Sequence, residues 1–246
     1  MSDWLFDLGN SRLKAAPVDG RAHGEIIAIA HAGDAASFAS LLPERGEVAY
    51  LASVTAPALT MALLEQLTQR FARICIARTQ AAFGGVRIAY AEPARLGVDR
   101  FLALLGAHAR GGPALVVAIG TALTIDLLDG AGRHHGGRIA PSPALMREAM
   151  HARVPHLPEN GGAYREFAGD TTDALASGCE GAALALVERS RARATALLGK
   201  APRVLLHGGG ADALRDRVDG EWMPALVLEG LLHWARAHGV DVRSAG

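Results

Sequence analysis

The sequence lacks the features that mark secreted, membrane-spanning and nucleic-acid-binding proteins. It contains only two cysteines, Cys75 and Cys179, which form neither a CxxC pair nor a metal-ligand spacing. No apolar run reaches the length of a membrane span, and the N-terminus does not resemble a signal peptide. The 25 basic and 25 acidic residues cancel, so the balance of charge does not indicate the broad basic face that nucleic acid usually requires, and only a local basic patch stays open. We therefore expect a cytoplasmic protein that binds neither membrane nor nucleic acid.

Length and composition indicate a globular protein with a substantial core. A chain of 246 residues suits one large domain or two modest ones. Half of the residues are hydrophobic and a fifth are charged, which is an ordinary balance for a folded chain. Folding at this size buries about 70–75% of the surface of the unfolded chain, so no disulfide or metal is needed to hold the core together.

The first half of the chain predicts a mixed β-sheet with helices packed on it. Apolar runs bounded by turn residues indicate three strands, followed by alternating helices and strands. The continuous apolar run at 48–54 is typical of a strand buried on both faces, and Pro57 suits the first turn of a helix. After an opening hairpin, the predicted strands are at 25–30, 48–54, 74–77 and 86–90, and the predicted helices at 35–42, 57–73 and 98–110.

Gly111-Gly112-Pro113 is the clearest interruption in the chain. We place a domain boundary there, which gives domains at 1–112 and 113–246. A buried strand at 114–121 follows and ends in a glycine-polar turn, with a hairpin partner at 124–128. The remaining predicted elements are strands at 136–141 and 204–210, and helices at 144–150, 172–198 and 229–238.

The second hairpin repeats the pattern of the first. When the two are aligned without gaps, Gly120 matches Gly9 at an offset of 111 residues (120 minus 9), and the residues after each glycine also align. Either the chain contains two copies of a strand–glycine turn–strand unit, or two apolar hairpins resemble each other by chance.

The stretch from Asp7 to Lys14 has the composition of a phosphate-binding turn. Gly9, Asn10 and Ser11 bring backbone N–H groups and short polar side chains close together, and we expect Gly9 to adopt a positive φ. An aspartate beside such a turn can hold a hydrated Mg²⁺ against phosphate oxygens. The alternative is an ordinary hairpin whose aspartate caps its own turn.

Gly97-Val98-Asp99-Arg100 is the best candidate for the acceptor side of a phosphoryl transfer. The predicted helix places Asp99 in its first turn, where the helix N-terminus favours the ionised carboxylate that a general base requires. The planar guanidinium of Arg100 can bind an anionic group of a substrate. The alternative is a helix start whose aspartate only satisfies its own N–H groups.

Two further clusters invite a functional interpretation. Gly208-Gly209-Gly210 follows a predicted buried strand, and its backbone could approach a flat ring closely; a plain strand-to-helix turn is the alternative. Adjacent histidines at 134 and 135 suggest a metal site, but their side chains diverge and no acidic or cysteine partners stand at ligand spacing. We therefore predict that both histidines are surface turn residues.

Together these pieces resemble the type III pantothenate kinase family. The resemblance covers nearly the whole chain in the right order, and the joint pattern is far more specific than any one motif. It rests on Asp7-x-Gly9-Asn10-Ser11-x-x-Lys14, Tyr90-x-x-Pro93-x-x-x-Gly97-x-Asp99-Arg100, Gly120-Thr121-Ala122-x-Thr124-x-Asp126 and Gly136-Gly137-x-Ile139-x-Pro141.

The resemblance implies a fold and an activity. The family belongs to the acetate and sugar kinase, Hsp70 and actin superfamily. We therefore expect an α/β protein with two ribonuclease-H-like (actin-like ATPase) domains, each a mixed sheet with flanking helices, and an active site in the interdomain cleft. The implied activity is the phosphorylation of pantothenate by ATP with Mg²⁺, the first step of coenzyme A biosynthesis, in a cytoplasmic homodimer.

The resemblance also implies the roles of single residues. Asp7 matches the carboxylate associated with Mg²⁺, and Asp99 matches the proton acceptor. Thr171 matches a threonine that reaches the pantothenate pocket, with its neighbour Thr172 as the alternative. The implied ATP contacts are Asp7, Leu8, Gly9, Asn10, Ser11, Arg12, Leu13, Lys14 and Thr121, and the implied pantothenate contacts are Tyr90, Gly97, Val98, Asp99, Arg100 and Thr171.

One position departs from the family pattern. The second loop usually begins with an aspartate that binds a monovalent cation, K⁺ or NH₄⁺, and here that position is Ala118. A methyl group cannot ligate a cation, so either the cation site is absent or another group takes its place. We expect an enzyme that works without added K⁺ or depends on it weakly.

Two other functions remain open at this stage. The chain could be another small-molecule kinase of the superfamily, such as a small sugar kinase. It could also be a non-catalytic regulator, because members of the family were first described as transcription accessory factors. The intact Asp7, Asp99 and Thr121 favour a catalytic protein.

Overall fold

The computed structural model describes residues 2–243 and confirms a mixed α/β architecture. Two short 3₁₀ helices, Ala35–Ser40 and Pro93–Arg95, accompany the regular elements. The strands are β1 (Trp4–Leu8), β2 (Arg12–Asp19), β3 (Ala22–His23), β4 (Ile27–Ala30), β5 (Gly46–Ser53), β6 (Phe71–Ile76), β7 (Ala82–Phe83), β8 (Val86–Arg87), β9 (Ala114–Ile119), β10 (Ala122–Leu128), β11 (His134–Pro141), β12 (Arg203–His207) and β13 (Glu221–Trp222). The helices are α1 (Pro57–Thr68), α2 (Val98–Ala109), α3 (Pro143–Arg153), α4 (Thr171–Leu198), α5 (Asp212–Arg215) and α6 (Leu226–Arg243).

The two principal sheets have the same strand order. The first runs β3-β2-β1-β5-β6, with β4 also paired to β2, and the second runs β11-β10-β9-β12-β13. In the first sheet β1 is antiparallel to β2 and parallel to β5, and in the second β9 is antiparallel to β10 and parallel to β12. Each hairpin seen in the sequence thus opens one copy of the same sheet pattern, which supports an internal duplication over chance similarity.

The described residues form two compact units. The first contains the described residues up to Gly111, the segment Ala131–His134 and the described residues from Ala225 onward. The second contains Gly112–Gly130 and His135–Pro224. The domain ranges 1–112 and 113–246 remain a prediction, while the packing groups the C-terminal helix with the first unit.

Aromatic and aliphatic side chains fill the core of the first unit. Leu63 and Leu67, four residues apart on α1, are fully buried in a cluster that includes Phe6 and Phe38. The edge of one ring meets the face of the other where Phe6 contacts Phe71, with ring centroids 5.6 Å apart. These contacts fix α1 against the sheet that carries β1.

Helix α2 is buried along most of its length because α6 packs against it. The two helices approach so closely that each needs a glycine at the contact. A Cβ atom at Gly106 would lie 2.6 Å from the carbonyl oxygen of Leu226, and one at Gly230 would lie 1.8 Å from that of Leu102. The C-terminal helix therefore completes the layer that supports the start of α2.

In the second unit, the 28-residue helix α4 covers the sheet. Ala183, Val187 and Ala194 recur at helical spacing and join the core formed with β9, β10 and β12. The carboxylate of Asp170 caps the first turn by accepting from the backbone N–H groups of Thr172 and Asp173. Gly199 ends the helix in the left-handed conformation, with φ of 71°.

Several elements differ from the sequence prediction: residues 35–40 form a 3₁₀ helix, and the strands predicted at 86–90 and 204–210 end at Arg87 and His207. Helix α1 ends at Thr68 instead of continuing to residue 73, because Phe71–Arg73 belong to β6 and pair with β5. The pairing is strengthened by the N–H of Gly46, which donates to the carbonyl of Arg70 at 2.9 Å. Within residues 2–243, no helix combines the length and apolar character needed to cross a membrane.

Candidate active site

The hairpin loop, residues 9–11, lies between β1 and β2, and Arg12 begins β2. The N–H of Gly9 donates to the carbonyl of Arg12 at 3.0 Å and closes the turn, while Asn10, Ser11 and Arg12 are exposed at its tip. The expected positive φ of Gly9 is wrong, since Gly9 does not adopt the left-handed conformation. The turn is instead tight: a Cβ atom at Gly9 would lie 3.4 Å from the Arg12 carbonyl oxygen.

Asp7 is half-buried near the end of β1 and lies directly opposite Lys14 on β2. Burial raises the pKa of Asp7 from 3.8 to about 6, Lys14 lowers it, and the negative charge of Asp99 raises it. The geometry agrees that Asp7 and Asp99, 92 residues apart in the chain (99 minus 7), lie near each other: the N–H of Val54 donates to the carbonyl of Leu8 at 3.1 Å, and a Cβ atom at Gly97 would lie 3.9 Å from the Val54 side chain. A cation beside Asp7 would stabilise its ionised carboxylate and so oppose the effects of both burial and repulsion by Asp99.

Helix α2 begins where the sequence predicts, and it carries the candidate base. Gly97 is the N-cap and Asp99 lies in the first turn, as expected. One carboxylate oxygen of Asp99 accepts from the backbone N–H of Arg100 at 2.8 Å. A Cβ atom at Gly97 would lie 2.6 Å from that same oxygen, so a larger residue at Gly97 would displace the carboxylate. The local sequence thus fixes the position of Asp99.

Tyr90, Arg100 and His134 form a connected cluster in the first unit. The Nη1 atom of Arg100 donates to the hydroxyl of Tyr90 at 3.3 Å, and the guanidinium carbon lies 5.9 Å from the centroid of the Tyr90 ring. The other ring neighbour is His134, whose plane lies 11° from that of Tyr90 with centroids 6.2 Å apart. Arg100 is only 7% exposed, so its charge is held inside this cluster.

The prediction that His134 and His135 are surface turn residues is wrong. His134 is 1% exposed, and its Nδ1 atom accepts the N–H of Ala89 at 3.3 Å. His135 is half-buried, with Nε2 2.9 Å from a carboxylate oxygen of Asp129. Sequence reasoning missed His134 because its burial depends on a distant segment: the N–H of Arg87 donates to the carbonyl of Gly132 at 2.9 Å.

The second unit carries the other candidate loop. The N–H of Gly120 donates to the carbonyl of Ala122 at 2.9 Å, and Thr121 is exposed at the tip of this β9–β10 turn. Ala118 lies two residues before the turn glycine, at the same strand position as Asp7 in the first hairpin. Its neighbours in register are Thr124 on β10 and His207 on β12.

The triple glycine after β12 has a structural explanation. A Cβ atom at Gly208 would lie 2.3 Å from the carbonyl oxygen of Ile119, and the N–H of Gly210 donates to that oxygen at 2.9 Å. Gly208 also adopts φ of 100°. These contacts hold the strand end next to the β9–β10 turn, so the strand-to-helix interpretation accounts for this glycine without a ligand.

Thr171 and Thr172 open α4 in the second unit. Thr171 is exposed, while Thr172 is half-buried beside Gly161. Of the two, Thr171 is therefore the more accessible, although its role in a pantothenate pocket stays a prediction.

The donor set fits a metal that is shared with a substrate. Within residues 2–243, no group of three or more histidine, cysteine, aspartate or glutamate side chains could hold a metal ion by itself. Mg²⁺ usually binds one or two carboxylates together with substrate phosphates and waters. Asp7, with a burial-raised pKa and a second carboxylate nearby, fits that mode of binding.

Solved structures define the class of fold. The structure of a putative Baf family transcriptional activator from Campylobacter jejuni matches with a TM-score of 0.63 and 18% identity, over 96% of this chain and 98% of that one. A putative 2-dehydro-3-deoxygalactonokinase from Sinorhizobium meliloti matches with a TM-score of 0.57 and 16% identity, over 96% and 98% of the two chains. With its two matching sheets, the chain thus has the two-domain α/β fold predicted from its resemblance to actin-like kinases.

Sequence comparison gives the family. The model of the type III pantothenate kinase family matches residues 4–193. A type III pantothenate kinase from Stenotrophomonas maltophilia (strain R551-3) is 58% identical over 238 residues, which cover 96% of this chain and 98% of the relative. The corresponding protein from Xanthomonas campestris pv. campestris (strain B100) is 57% identical with the same coverage. The chain belongs to the type III pantothenate kinase family, which confirms the resemblance.

Proposed function

We propose that this protein transfers the γ-phosphoryl group of ATP to the primary hydroxyl of pantothenate, which yields 4′-phosphopantothenate. This reaction is the first step of coenzyme A biosynthesis. The observation that carries the assignment of roles is the proximity of Asp7 and Asp99, whose charges interact within the first unit. One carboxylate suits the metal and phosphates, and the other suits the incoming alcohol.

Asp99 acts as the general base in this proposal. The N-terminus of α2 favours its ionised form, and the N–H of Arg100 orients one of its carboxylate oxygens. As the pantothenate hydroxyl attacks the γ-phosphorus, Asp99 accepts the hydroxyl proton and the bond to the β-phosphate oxygen breaks. A positioned base of this kind typically contributes about 10²–10⁴ in rate.

Tyr90 and the segment from Gly97 to Arg100 bind pantothenate. Pantothenate carries a carboxylate, and the buried guanidinium of Arg100 is a suitable partner for such an anion. The Tyr90 hydroxyl accepts a hydrogen bond from the guanidinium and holds it in place. Binding of pantothenate therefore does not pay the conformational entropy of ordering the Arg100 side chain. Thr171 is a further proposed pantothenate contact, with Thr172 as the alternative.

The segment from Asp7 to Lys14 and Thr121 contact the ATP phosphates. In the hairpin loop, backbone N–H groups stabilise the charge that develops on the transferring group, which is the main catalytic contribution in phosphoryl transfer. Asp7 would hold Mg²⁺, which neutralises phosphate charge when bound. Because Ala118 offers no oxygen ligand, we propose that no monovalent cation is required.

The direct test measures ADP release in a coupled assay with purified full-length protein. When pantothenate is the substrate, we expect one ADP to be released for each phosphopantothenate formed. With hexoses or sugar acids we expect no ADP release. Sugar acids are a sensible competing substrate class because the Sinorhizobium meliloti neighbour is described as a putative 2-dehydro-3-deoxygalactonokinase. Release with a sugar acid but not with pantothenate would contradict the proposal.

A non-catalytic regulator is the second candidate, because the Campylobacter jejuni neighbour is described as a putative transcriptional activator. Such a protein would show no ATP turnover but would retain binding to a regulatory partner.

We also propose a cytoplasmic homodimer that binds neither nucleic acid nor membrane. Light scattering would give its mass in solution, and a monomer at assay concentration would contradict the dimer.

A further inference from the structure

His31 belongs to none of the motifs that carry the family resemblance, yet it contacts the hairpin loop directly. Its side chain is 2% exposed, and its Nε2 atom donates to the carbonyl of Gly9 at 2.8 Å. On the other side of the ring, the N–H of Gly33 donates to Nδ1 at 3.0 Å. The imidazole therefore links a turn that follows β4 to the loop between β1 and β2.

The two partners fix the state of the imidazole. A backbone N–H faces Nδ1, so this atom acts as an acceptor and carries no proton, whereas the carbonyl of Gly9 requires a proton on Nε2. Only the neutral ring with its hydrogen on Nε2 satisfies both partners. His31 is thus a hydrogen-bond donor of fixed direction toward the loop.

This contact sets the direction of a loop amide. In a trans peptide the C=O and the following N–H point in opposite directions. Because the Gly9 carbonyl points to His31, the N–H of Asn10 points away from His31. The main chain adds a second anchor, since the N–H of His31 donates to the carbonyl of Ser11 at 3.3 Å. Two loop carbonyls are therefore held on one side of an otherwise exposed loop.

The position of His31 is itself fixed by an unusual turn. Ala32 has φ of 42° and Gly33 has φ of 83°, and the N–H of Asp34 donates to the carbonyl of His31. The left-handed conformation is unfavourable for a residue with a Cβ atom, so Ala32 must be held there by its surroundings. The His31 ring also packs edge-to-face with Phe38, a fully buried core residue, with centroids 5.7 Å apart.

We infer that His31 is a positioning residue for ATP: by fixing the Gly9 carbonyl, it directs the N–H of Asn10 toward the nucleotide phosphates. The inference rests on the proposed function, in which the hairpin loop binds phosphate. It goes beyond that function because it assigns a role to a side chain that contacts neither substrate.

The test compares two substitutions that fill the same buried volume. His31→Gln can place an amide N–H near the position of Nε2, whereas His31→Met fills the space without a donor. We expect His31→Gln to bind a magnesium complex of a non-hydrolysable ATP analogue within about twofold of wild type, and His31→Met to bind about five- to tenfold more weakly. The KM for pantothenate should stay within about twofold in both. Calorimetric titration measures the first quantity and the coupled assay the second.

His23→Met is the matched control. His23 lies on β3 of the first sheet and, like His31, has a ring nitrogen beside a glycine carbonyl, but it is only half-buried and pairs with Val18 toward the far end of β2. Nucleotide binding should be unchanged in this variant. Equal affinities for His31→Gln and His31→Met, whether both strong or both weak, would overturn the inference because donation by Nε2 would then be irrelevant.

A measurement on the wild-type protein needs no variant. If the Asn10 N–H faces the phosphates, its hydrogen exchange must slow when the ATP analogue binds, and unchanged exchange at Asn10 would overturn the inference. The proposed function can be contradicted without contradicting the inference about His31. If the wild-type protein binds the ATP analogue but does not phosphorylate pantothenate, the proposed function is wrong and the effect of His31 on nucleotide binding still stands. Normal pantothenate turnover with no effect at His31 would overturn the inference alone.

Discussion

Lys14 lies directly opposite Asp7 in the β1–β2 ladder, so the candidate metal carboxylate has a cation as its cross-strand partner. The pairing lowers the pKa of Asp7, but burial and the charge of Asp99 outweigh it and bring the pKa to about 6. Asp7 is therefore ionised at neutral pH at the expense of folding stability. A cation bound together with the phosphates would stabilise the ionised carboxylate further.

The pKa of Asp7 predicts how a neutral replacement behaves. Because the folded-state pKa of about 6 exceeds the ordinary aspartate value of 3.8, the ionised carboxylate destabilises the fold fully above pH 6 and not at all below about pH 4. Without nucleotide or Mg²⁺, Asp7→Asn should be more stable than wild type at pH 8, by about 1–3 kcal/mol or several degrees in Tm. At pH 4 the difference should vanish, while Mg²⁺-dependent activity should be largely lost.

Thermal unfolding at both pH values checks this prediction. Asp19→Asn is the control, because Asp19 is exposed at the end of β2 and its replacement should not change Tm. A destabilised Asp7→Asn at pH 8 would show that the carboxylate is not held in an unfavourable environment.

Asp99→Asn should remove the general base while leaving the side chain's shape in place. We expect kcat to fall by about 10²–10⁴, with nucleotide affinity within about twofold of wild type. Stopped-flow or coupled measurement of ADP release gives kcat, and calorimetry gives the nucleotide affinity. Unchanged turnover in Asp99→Asn would remove the base assignment.

Ala118 predicts independence from K⁺. Replacing K⁺ by a large organic cation in the assay buffer should change the wild-type rate by less than about twofold, because a methyl group supplies no ligand to a hard cation. Ala118→Asp introduces a carboxylate between Thr124 and His207 in register, and should make the rate rise with K⁺. Strong stimulation of the wild type by K⁺ would contradict this prediction.

We expect His134 to affect the KM for pantothenate by orienting Tyr90. His134→Leu removes the acceptor for the Ala89 N–H and the ring beside Tyr90, so we expect a several-fold higher KM for pantothenate and an unchanged KM for ATP. In a Tyr90→Ala background the same change should have little further effect, because residues that act through one another are not additive. His135→Leu is the control, since His135 binds Asp129 instead.

Kinetics of the three single variants and of the double variant that combines His134→Leu with Tyr90→Ala measure this coupling. If the effects of His134→Leu and Tyr90→Ala simply add, His134 only supports the fold and does not orient Tyr90.

Local patterns predicted the longer strands, most of the helices and the two glycine loops, but not the short strands β3, β7 and β13. Apolar periodicity and turn residues predicted both hairpins, the start of α2 at Val98 and the placement of Asp99 in its first turn. Each of these depends on neighbours within a few residues, so the sequence contains the information. The repeated hairpin was also visible because the two strand–glycine turns align without gaps.

The features that the sequence did not predict depend on contacts between segments that are distant in the chain. Nothing local ends α1 at Thr68, since the following Gln69 and Arg70 are compatible with a helix; pairing of Phe71–Arg73 with β5 decides it. His134 looks like a turn residue until Gly132 is placed against β8. His31 shows no signal in sequence, because its role depends on a carbonyl 22 residues away.

The packing of α6 against α2 has a consequence for biosynthesis. On the ribosome, the polypeptide emerges from its N-terminus, yet the face of α2 stays uncovered until the chain past Ala225 has been released. The second unit, complete by Pro224, has all of its partners earlier. The first unit, which carries Asp7 and Asp99, is therefore completed after the second unit, although most of its residues are translated earlier.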